Sequence, residues 1–236
     1  MRSLESLDFD NDRALIRVDF NVPMSEGKVA DDFRIQAALP SIKHCIDHGA
    51  SVVLMSHLGR PGGVPSEDLS LMPVGETLCD HLEMSIKFSH DCVSDDAIDV
   101  SHELQAGEVH LLENLRFHTG ETKNDHDFAS RLAQHGTCFI NDAFGTAHRA
   151  HASNVGVTDF LQNCTPGFLM AEEFKFLHSA VIRPKRPFTI VLGGAKIGTK
   201  LPLVTRFIRE ADNVFIGGGM AFTFLKIVGY EIGKSI

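Results

Sequence analysis

Thr137-Cys-Phe-Ile-Asn-Asp-Ala-Phe-Gly-Thr-Ala-His-Arg-Ala-His-Ala-Ser153 decides how this chain is read. The apolar run 137–140 ends abruptly in an amide, a carboxylate, an arginine and two histidines. An open α/β sheet presents its ligand site in this way, at the carboxyl ends of buried strands. Three other apolar runs end similarly. Arg17-Val-Asp-Phe-Asn-Val-Pro23 follows Ala14-Leu-Ile16, and Ser56-His-Leu-Gly-Arg-Pro61 follows Val52-Val-Leu-Met55. Glu113-Asn-Leu-Arg-Phe117 follows Val109-His-Leu-Leu112.

Between these runs the pattern is helical. Asp31 and Asp32 offer caps for a helix over 33–48 that stops at Gly49. Strand 51–55 follows, then a helix from Leu71 with Pro73 in its first turn. Strand 107–112 comes next, then a helix over 125–135 opened by Asn124 and closed by Gly136, then strand 137–140. Near-continuous apolar strands alternating with helices predict a doubly wound, mainly parallel sheet covered on both faces, a Rossmann-like three-layer α/β fold.

The pattern changes at 167–182, one long helical period with no strand beside it. It ends at Arg183-Pro-Lys-Arg-Pro187, which reads as a boundary. Fresh β-α alternation follows: strand 188–192, a glycine turn, a helix near 201–211, strand 213–216, a second glycine turn and a helix over 220–228. The expected organisation is an α/β domain over 1–165, a connecting helix over 166–183, and the start of a second, incomplete α/β domain over 184–236. A two-stranded sheet cannot bury its own faces, so the chain reads as truncated.

The totals set limits on function. The chain has 236 residues, with 31 acidic against 22 basic and a net charge of −9. That balance argues against nucleic acid or an anionic membrane as partner. Several arginines nevertheless fall inside the polar motifs, so a local basic pocket on an acidic body suits a small, highly charged anion. Five cysteines at wide spacings, with no Cys-x-x-Cys, argue against a disulfide framework or zinc site. Cys138 and Cys164 read as small core residues, and a reducing cytosol is expected. No apolar leader and no run of membrane-spanning length is present.

In the first motif, strand alternation projects Asp19 and Asn21 past the strand end together, suited to substrate hydroxyls; an Asx turn before Pro23 is the competing reading. His57, Arg60, Arg116 and Arg149 close the strand ends, with Arg34 just inside the first helix. Guanidinium forks match phosphate and carboxylate oxygens. Five such groups in one crevice repel one another unless an anion neutralises them. His148-x-x-His151 lacks the further ligands a structural zinc site requires, so anion binding or packing is preferred.

Gly193-Gly-Ala-Lys-Ile-Gly-Thr-Lys200 is a strand–glycine–helix junction that misses the P-loop register. Its backbone N–H groups and the lysines at 196 and 200 favour phosphate. Gly217-Gly-Gly-Met-Ala-Phe222 fails the dinucleotide glycine pattern, which disfavours a nicotinamide-dependent oxidoreductase, but leaves adenosine free to approach bare backbone.

Residues 13–236 resemble phosphoglycerate kinases in continuous order. The likeness rests on the four strand-end motifs, Gly167-Phe-Leu-Met-Ala-Glu-Glu, Gly-Gly-Ala-Lys196 and Gly217-Gly-Gly-Met-Ala-Phe-Thr-Phe-Leu-Lys226. The resemblance implies a cytoplasmic, monomeric glycolytic enzyme that transfers a phosphoryl group from 1,3-bisphosphoglycerate to ADP, with Mg2+, giving 3-phosphoglycerate and ATP. By resemblance, Asp19 and Asn21 hold the glycerate, while His57, Arg60, Arg116 and Arg149 hold its phosphate. Arg34 lies by the carboxyl or acyl phosphate. Lys196 steadies the transferring phosphoryl and Lys200 the nucleotide phosphates. Gly194, Ala195, Gly218 and Gly219 line the adenosine site. Phe33 stands where the family usually has threonine. The resemblance places the aspartate beside magnesium, a second glycine-rich loop and an acidic ribose contact beyond this chain. Weak or absent turnover is therefore expected, with 3-phosphoglycerate binding alone as the alternative.

Overall fold

The first strand, β1 (Arg13–Arg17), shows how the sheet is specified. Ala14, Leu15 and Ile16 are all fully buried. Successive side chains point to opposite faces, so Ala14 and Ile16 join one apolar cluster and Leu15 joins another. In β4 (Ser51–Met55), Val52 and Leu54 face the first cluster, Val53 and Met55 the second. Cys138 and Ile140 of β7 (Cys138–Asn141) oppose Phe139 in the same way. A strand with two apolar faces needs cover on both, and helices supply it. Ile35, Ala38 and Ile42 of α1 (Phe33–Asp47), with Val74 and Leu78 of α2 (Met72–Leu82), fill one side. Phe128, Ala129 and Leu132 of α5 (His126–Ala133) fill the other.

The computed structural model describes residues 3–9, 12–195, 197–198 and 200–235. They form two compact units, Met1–Lys175 and Phe176–Ile236. The division falls within the long helix α6 (Phe168–Ile182).

In the first unit, β5 (Lys87–Ser89), β6 (Val109–Leu112) and β8 (Cys164–Pro166) complete a six-stranded sheet in the order β5-β6-β4-β1-β7-β8. Every pairing in it is parallel. Successive crossovers leave β1 with β4 on one side and β7 on the other. The winding direction reverses there, which opens a crevice at the carboxyl rim. A hairpin of β2 (Met24–Ser25) and β3 (Lys28–Val29) stands apart from this sheet. Two helices, α3 (Asp95–His102) and α4 (Thr119–Lys123), complete the unit.

Of the two caps offered for the helix over 33–47, Asp31 serves, accepting the Phe33 N–H at 2.9 Å, whereas the Asp32 carboxylate bonds the side chains of Gln36 and His81. Two local expectations are corrected. Asn124 does not open α5: Asp125 does, accepting the Phe128 N–H at 2.9 Å, while Asn124 is left-handed at the end of α4. Cys164 is exposed rather than core, because it begins the edge strand β8, where only the next two residues are buried.

The second unit pairs β9 (Thr189–Gly193) with β10 (Asn213–Gly217) in parallel. Helices α7 (Leu201–Glu210) and α8 (Gly219–Ile227) follow these strands. Among the described residues, Val204, Phe207 and Met220 are its buried apolar ones, while Val191 and Phe215 on the strands are exposed.

Candidate functional site

At the carboxyl rim of the large sheet lies a cleft of about 270 Å3. Asp19 and Asn21 enter it from the end of β1, and His57, Gly59 and Arg60 from the end of β4. Arg116 comes from the turn after β6, and Gly145, Thr146 and Arg149 from the loop after β7. Arg34 reaches in from the first turn of α1. The seven residues expected to contact a phosphorylated acid thus share one cavity wall. Four guanidiniums face a single carboxylate, Asp19.

Most polar groups in this wall are already directed. Asp19 Oδ2 pairs with Arg34 Nη1 at 2.7 Å. Its Oδ1 lies 3.4 Å from the Asn21 N–H, the Asx geometry anticipated for this turn. Asn21 Oδ1 accepts the Gly59 N–H at 2.8 Å, which leaves its amide N–H groups as donors. Arg116 is buried and spends Nη1 on the Gly59 carbonyl at 2.7 Å. Among the described residues, the arginine ion pairs are those of Arg34, Arg131, Arg186 and Arg206; Arg60, Arg116 and Arg149 make none. Burial, and then the charges of Arg149 and Arg17, push the Arg116 guanidinium below its ordinary range. Crowded cations with too few counter-charges make an anion receptor.

Behind the wall is a fully buried arginine, Arg17. Its Nη1 donates to the Val18 carbonyl, its Nε to Ser153 Oγ at 2.9 Å, and its Nη2 to His57 Nδ1 at 3.0 Å. Ser153 passes the interaction on, donating its Oγ–H and N–H to Glu121 at 2.7 and 3.0 Å. Glu121 is also fully buried; burial works against its charge, but His151, Arg17 and Ser153 outweigh it and hold the carboxyl below its usual range. An arginine only donates, so His57 Nδ1 is the acceptor and Nε2 carries the ring proton. Burial and the cations Arg17, Arg116 and Arg149 push His57 down to about 2. It is a neutral hydrogen-bond donor with its tautomer fixed from behind. Arg17 and Glu121 lie outside the residues singled out from sequence. Arg17 stands two positions before Asp19 on the same strand face, but nothing in the pattern marks it as buried.

His148 and His151 go to different neighbours. His148 lies beside Arg149, whereas the buried His151 places Nδ1 3.5 Å from Glu121 Oε1. Asp142, at the end of β7, is fully buried and accepts the Met170 N–H at 3.1 Å, capping α6. Burial raises its carboxyl above the ordinary range.

In the second unit the two glycine turns meet at the carboxyl ends of β9 and β10. Gly218 has φ +65°, and a Cβ there would stand 2.9 Å from the Gly194 nitrogen. The Met220 N–H donates to the Gly194 carbonyl at 2.8 Å, and a Cβ on Gly219 would come within 3.3 Å of Ala195 Cα. Gly194, Ala195, Gly218 and Gly219 therefore form a surface of bare backbone that only glycine permits at 218. Lys200 donates its ammonium to the Gly193 carbonyl beside it. This donor set fits a nucleotide: N–H groups and an ammonium for phosphate, and an uncluttered floor for a flat base. Lys196 lies outside the described residues.

The family model described as phosphoglycerate kinase matches residues 4–236. The chain is 46% identical over 235 residues to the phosphoglycerate kinase of Chloroherpeton thalassium, covering 100% of this chain and 59% of that relative. It is 45% identical over 237 residues to that of Clostridium botulinum (strain Eklund 17B), covering 100% and 60%. The solved phosphoglycerate kinase of Coxiella burnetii superposes with a TM-score of 0.86 at 38% identity, over 99% of this chain and 59% of that one. That of Pyrococcus horikoshii gives 0.88 at 35% identity, again over 99% and 59%. The 236 residues thus span about 60% of the length of these relatives, and over that span the rim of arginines and the paired glycine turns sit on a matching sequence and fold. The chain belongs to the phosphoglycerate kinase family.

Proposed function

We propose that the rim cleft binds 3-phosphoglycerate and 1,3-bisphosphoglycerate, and that the glycine turns bind ADP and ATP, so that the chain carries residues of a reversible phosphoryl transfer in glycolysis. The convergence of Asp19, Asn21, Arg34, His57, Arg60, Arg116 and Arg149 on one cavity carries this reading. In the transfer, the bond from phosphorus to the acyl oxygen breaks as a bond to the terminal phosphate oxygen of ADP forms. The electron pair returns to the glycerate carboxylate. A carboxylate is a competent nucleophile in the reverse direction, so no general base is required, and catalysis rests on alignment and charge neutralisation.

Asn21 amide hydrogens and the Asp19 carboxylate suit the glycerate hydroxyl and backbone oxygens. His57 Nε2–H, Arg60, Arg116 and Arg149 suit the remote phosphate. Arg34, half-exposed and paired with Asp19, suits the carboxyl end. Lys196 is assigned to the transferring phosphoryl and Lys200 to the nucleotide phosphates, for which it would exchange its carbonyl partner. Magnesium bound with the nucleotide would supply charge neutralisation to the phosphates, and its ligands are assigned to no residue of this chain. The proposed setting is the cytoplasm, with a monomer proposed for a chain of the relatives' full length rather than for these 236 residues alone; no described helix is long and apolar enough to cross a membrane.

A second reading, 3-phosphoglycerate binding with weak turnover, is favoured for these 236 residues alone. The second unit has a two-stranded sheet with exposed apolar side chains, whereas the first has a complete covered sheet. Calorimetry tests both. Saturable heat with 3-phosphoglycerate at one site per chain is expected, and its absence overturns the proposal. Heat with Mg-ADP and turnover near that of a full-length relative would overturn the second reading.

A further inference from the structure

A second cluster of reactive side chains lies outside the anion cleft. The turn between β5 and α3 carries Asp91 and Cys92, and His118 follows the turn after β6. One ligand atom from each of these three residues lies within 4.8 Å of the others. His118 Nε2 is 3.2 Å from Asp91 Oδ2, already the edge length of a small coordination tetrahedron, which is about 3.5 Å for bonds of 2.0–2.3 Å. Asp91 Oδ1 is engaged elsewhere: it accepts the N–H groups of Val93 and Ser94 at 2.6 and 2.9 Å. Those two bonds fix the carboxylate and leave Oδ2 turned to the imidazole, the kind of outer support that metal ligands need. The His118 ring is also held, packed against Phe128 with centroids 5.3 Å apart.

We propose that Asp91, Cys92 and His118 form a binding site for one zinc ion or a similar borderline-soft divalent cation. A thiolate, an imidazole and a carboxylate together select zinc over magnesium or calcium, which take oxygen ligands. Three protein ligands leave a fourth position open. Burial, and then the charges of Asp91, Glu121 and Glu113, hold the Cys92 thiol well above its ordinary range, so coordination must displace its proton, which is released to solvent. With both anionic ligands formed, the site's formal charge is neutral. His148 and His151 take no part.

Cobalt(II) chloride, a spectroscopic stand-in for zinc, provides the test, titrated into the 236-residue chain in excess magnesium. Saturation at one equivalent is expected, with a thiolate-to-cobalt charge-transfer band and the visible bands of a four-coordinate ion. One equivalent of zinc chloride should abolish both. Cys92→Ser should remove the charge-transfer band, while Cys79→Ser and Cys164→Ser keep it. Because Cys92 is buried, the half-exposed ligands give an independent arm: His118→Gln and Asp91→Asn should each weaken cobalt binding roughly tenfold or more, with an unchanged circular dichroism spectrum. No saturable binding, a charge-transfer band that survives Cys92→Ser, or unchanged affinity in folded His118→Gln and Asp91→Asn would each overturn the proposal. The 3-phosphoglycerate heat, measured without zinc, reports on the cleft separately.

Discussion

A guanidinium sealed from water is tolerable only with partners on each side, and Arg17 has the Val18 carbonyl, Ser153 and His57. Glu121 supplies the balancing charge. Arg17→Met should therefore destabilise the fold by about 3–5 kcal/mol in urea unfolding, because it strands a buried carboxylate. At the cleft surface, Arg116→Ala should weaken 3-phosphoglycerate binding roughly 10- to 100-fold in calorimetry, as a charged hydrogen-bond donor to phosphate is lost. Histidines set the acid limit. His57, His110 and His135 are all buried, chiefly by desolvation pushed down to about 2, 4 and 3. Each is neutral in the fold but takes a proton in the unfolded chain below about 6.5. Stability is thus full above that value and falls as pH drops from about 6.5 toward each folded value, about 4 for His110, 3 for His135 and 2 for His57. The slope is about 1.4 kcal/mol per pH unit for each histidine, which urea midpoints at pH 7 and 5 will show. Strand alternation made the direction of Asp19 and Asn21 legible in sequence, and the arginines stood out by their place at strand ends. The depth of Arg17 and the counter-charge of Glu121 were not legible, since each depends on which distant helix covers that strand.

At the scale of elements, the strands that the apolar runs announce form where expected, Ser51–Met55 to the residue. Long helices such as Phe33–Asp47 and Phe168–Ile182 were equally readable. The short edge strands Lys87–Ser89 and Cys164–Pro166 were not, because three residues carry too little periodicity and their pairing is set by a neighbour. The cap at 125 was misplaced by one residue, since the adjacent Asn124 and Asp125 compete for the same N–H groups. The start of α6 depends on a glycine. A Cβ at Gly167 would stand 2.3 Å from Asp142 Cγ, the carboxyl group that caps this helix. Gly167→Ala should cost about 1–3 kcal/mol by forcing the capping group aside, measurable as a lowered urea midpoint.

For the molecule as a whole, the two units differ in how fully they cover their sheets. In the second, Val191 and Phe215 are 76% and 60% exposed on two paired strands. Open strands with apolar side chains invite further strand pairing. Light scattering of the 236-residue chain should rise with concentration faster than a monomer allows, and Val191→Lys should reduce that rise. A slope indistinguishable from a monomer's in the unchanged chain would contradict this. The renewed β-α pattern was visible in sequence; the extent of exposed apolar surface was not, because it depends on what packs against each face.

The neutral, locked imidazole of His57 has one more consequence. With that ring unable to gain a proton, the remaining cations of the cleft are guanidiniums, which keep their charge throughout the physiological range. The receptor is then a fixed electrode, and acidity acts on the guest. A phosphate monoester gives up its second proton near pH 6, so capture should fade below that point in step with the ester's own ionisation, whatever histidine is nearby.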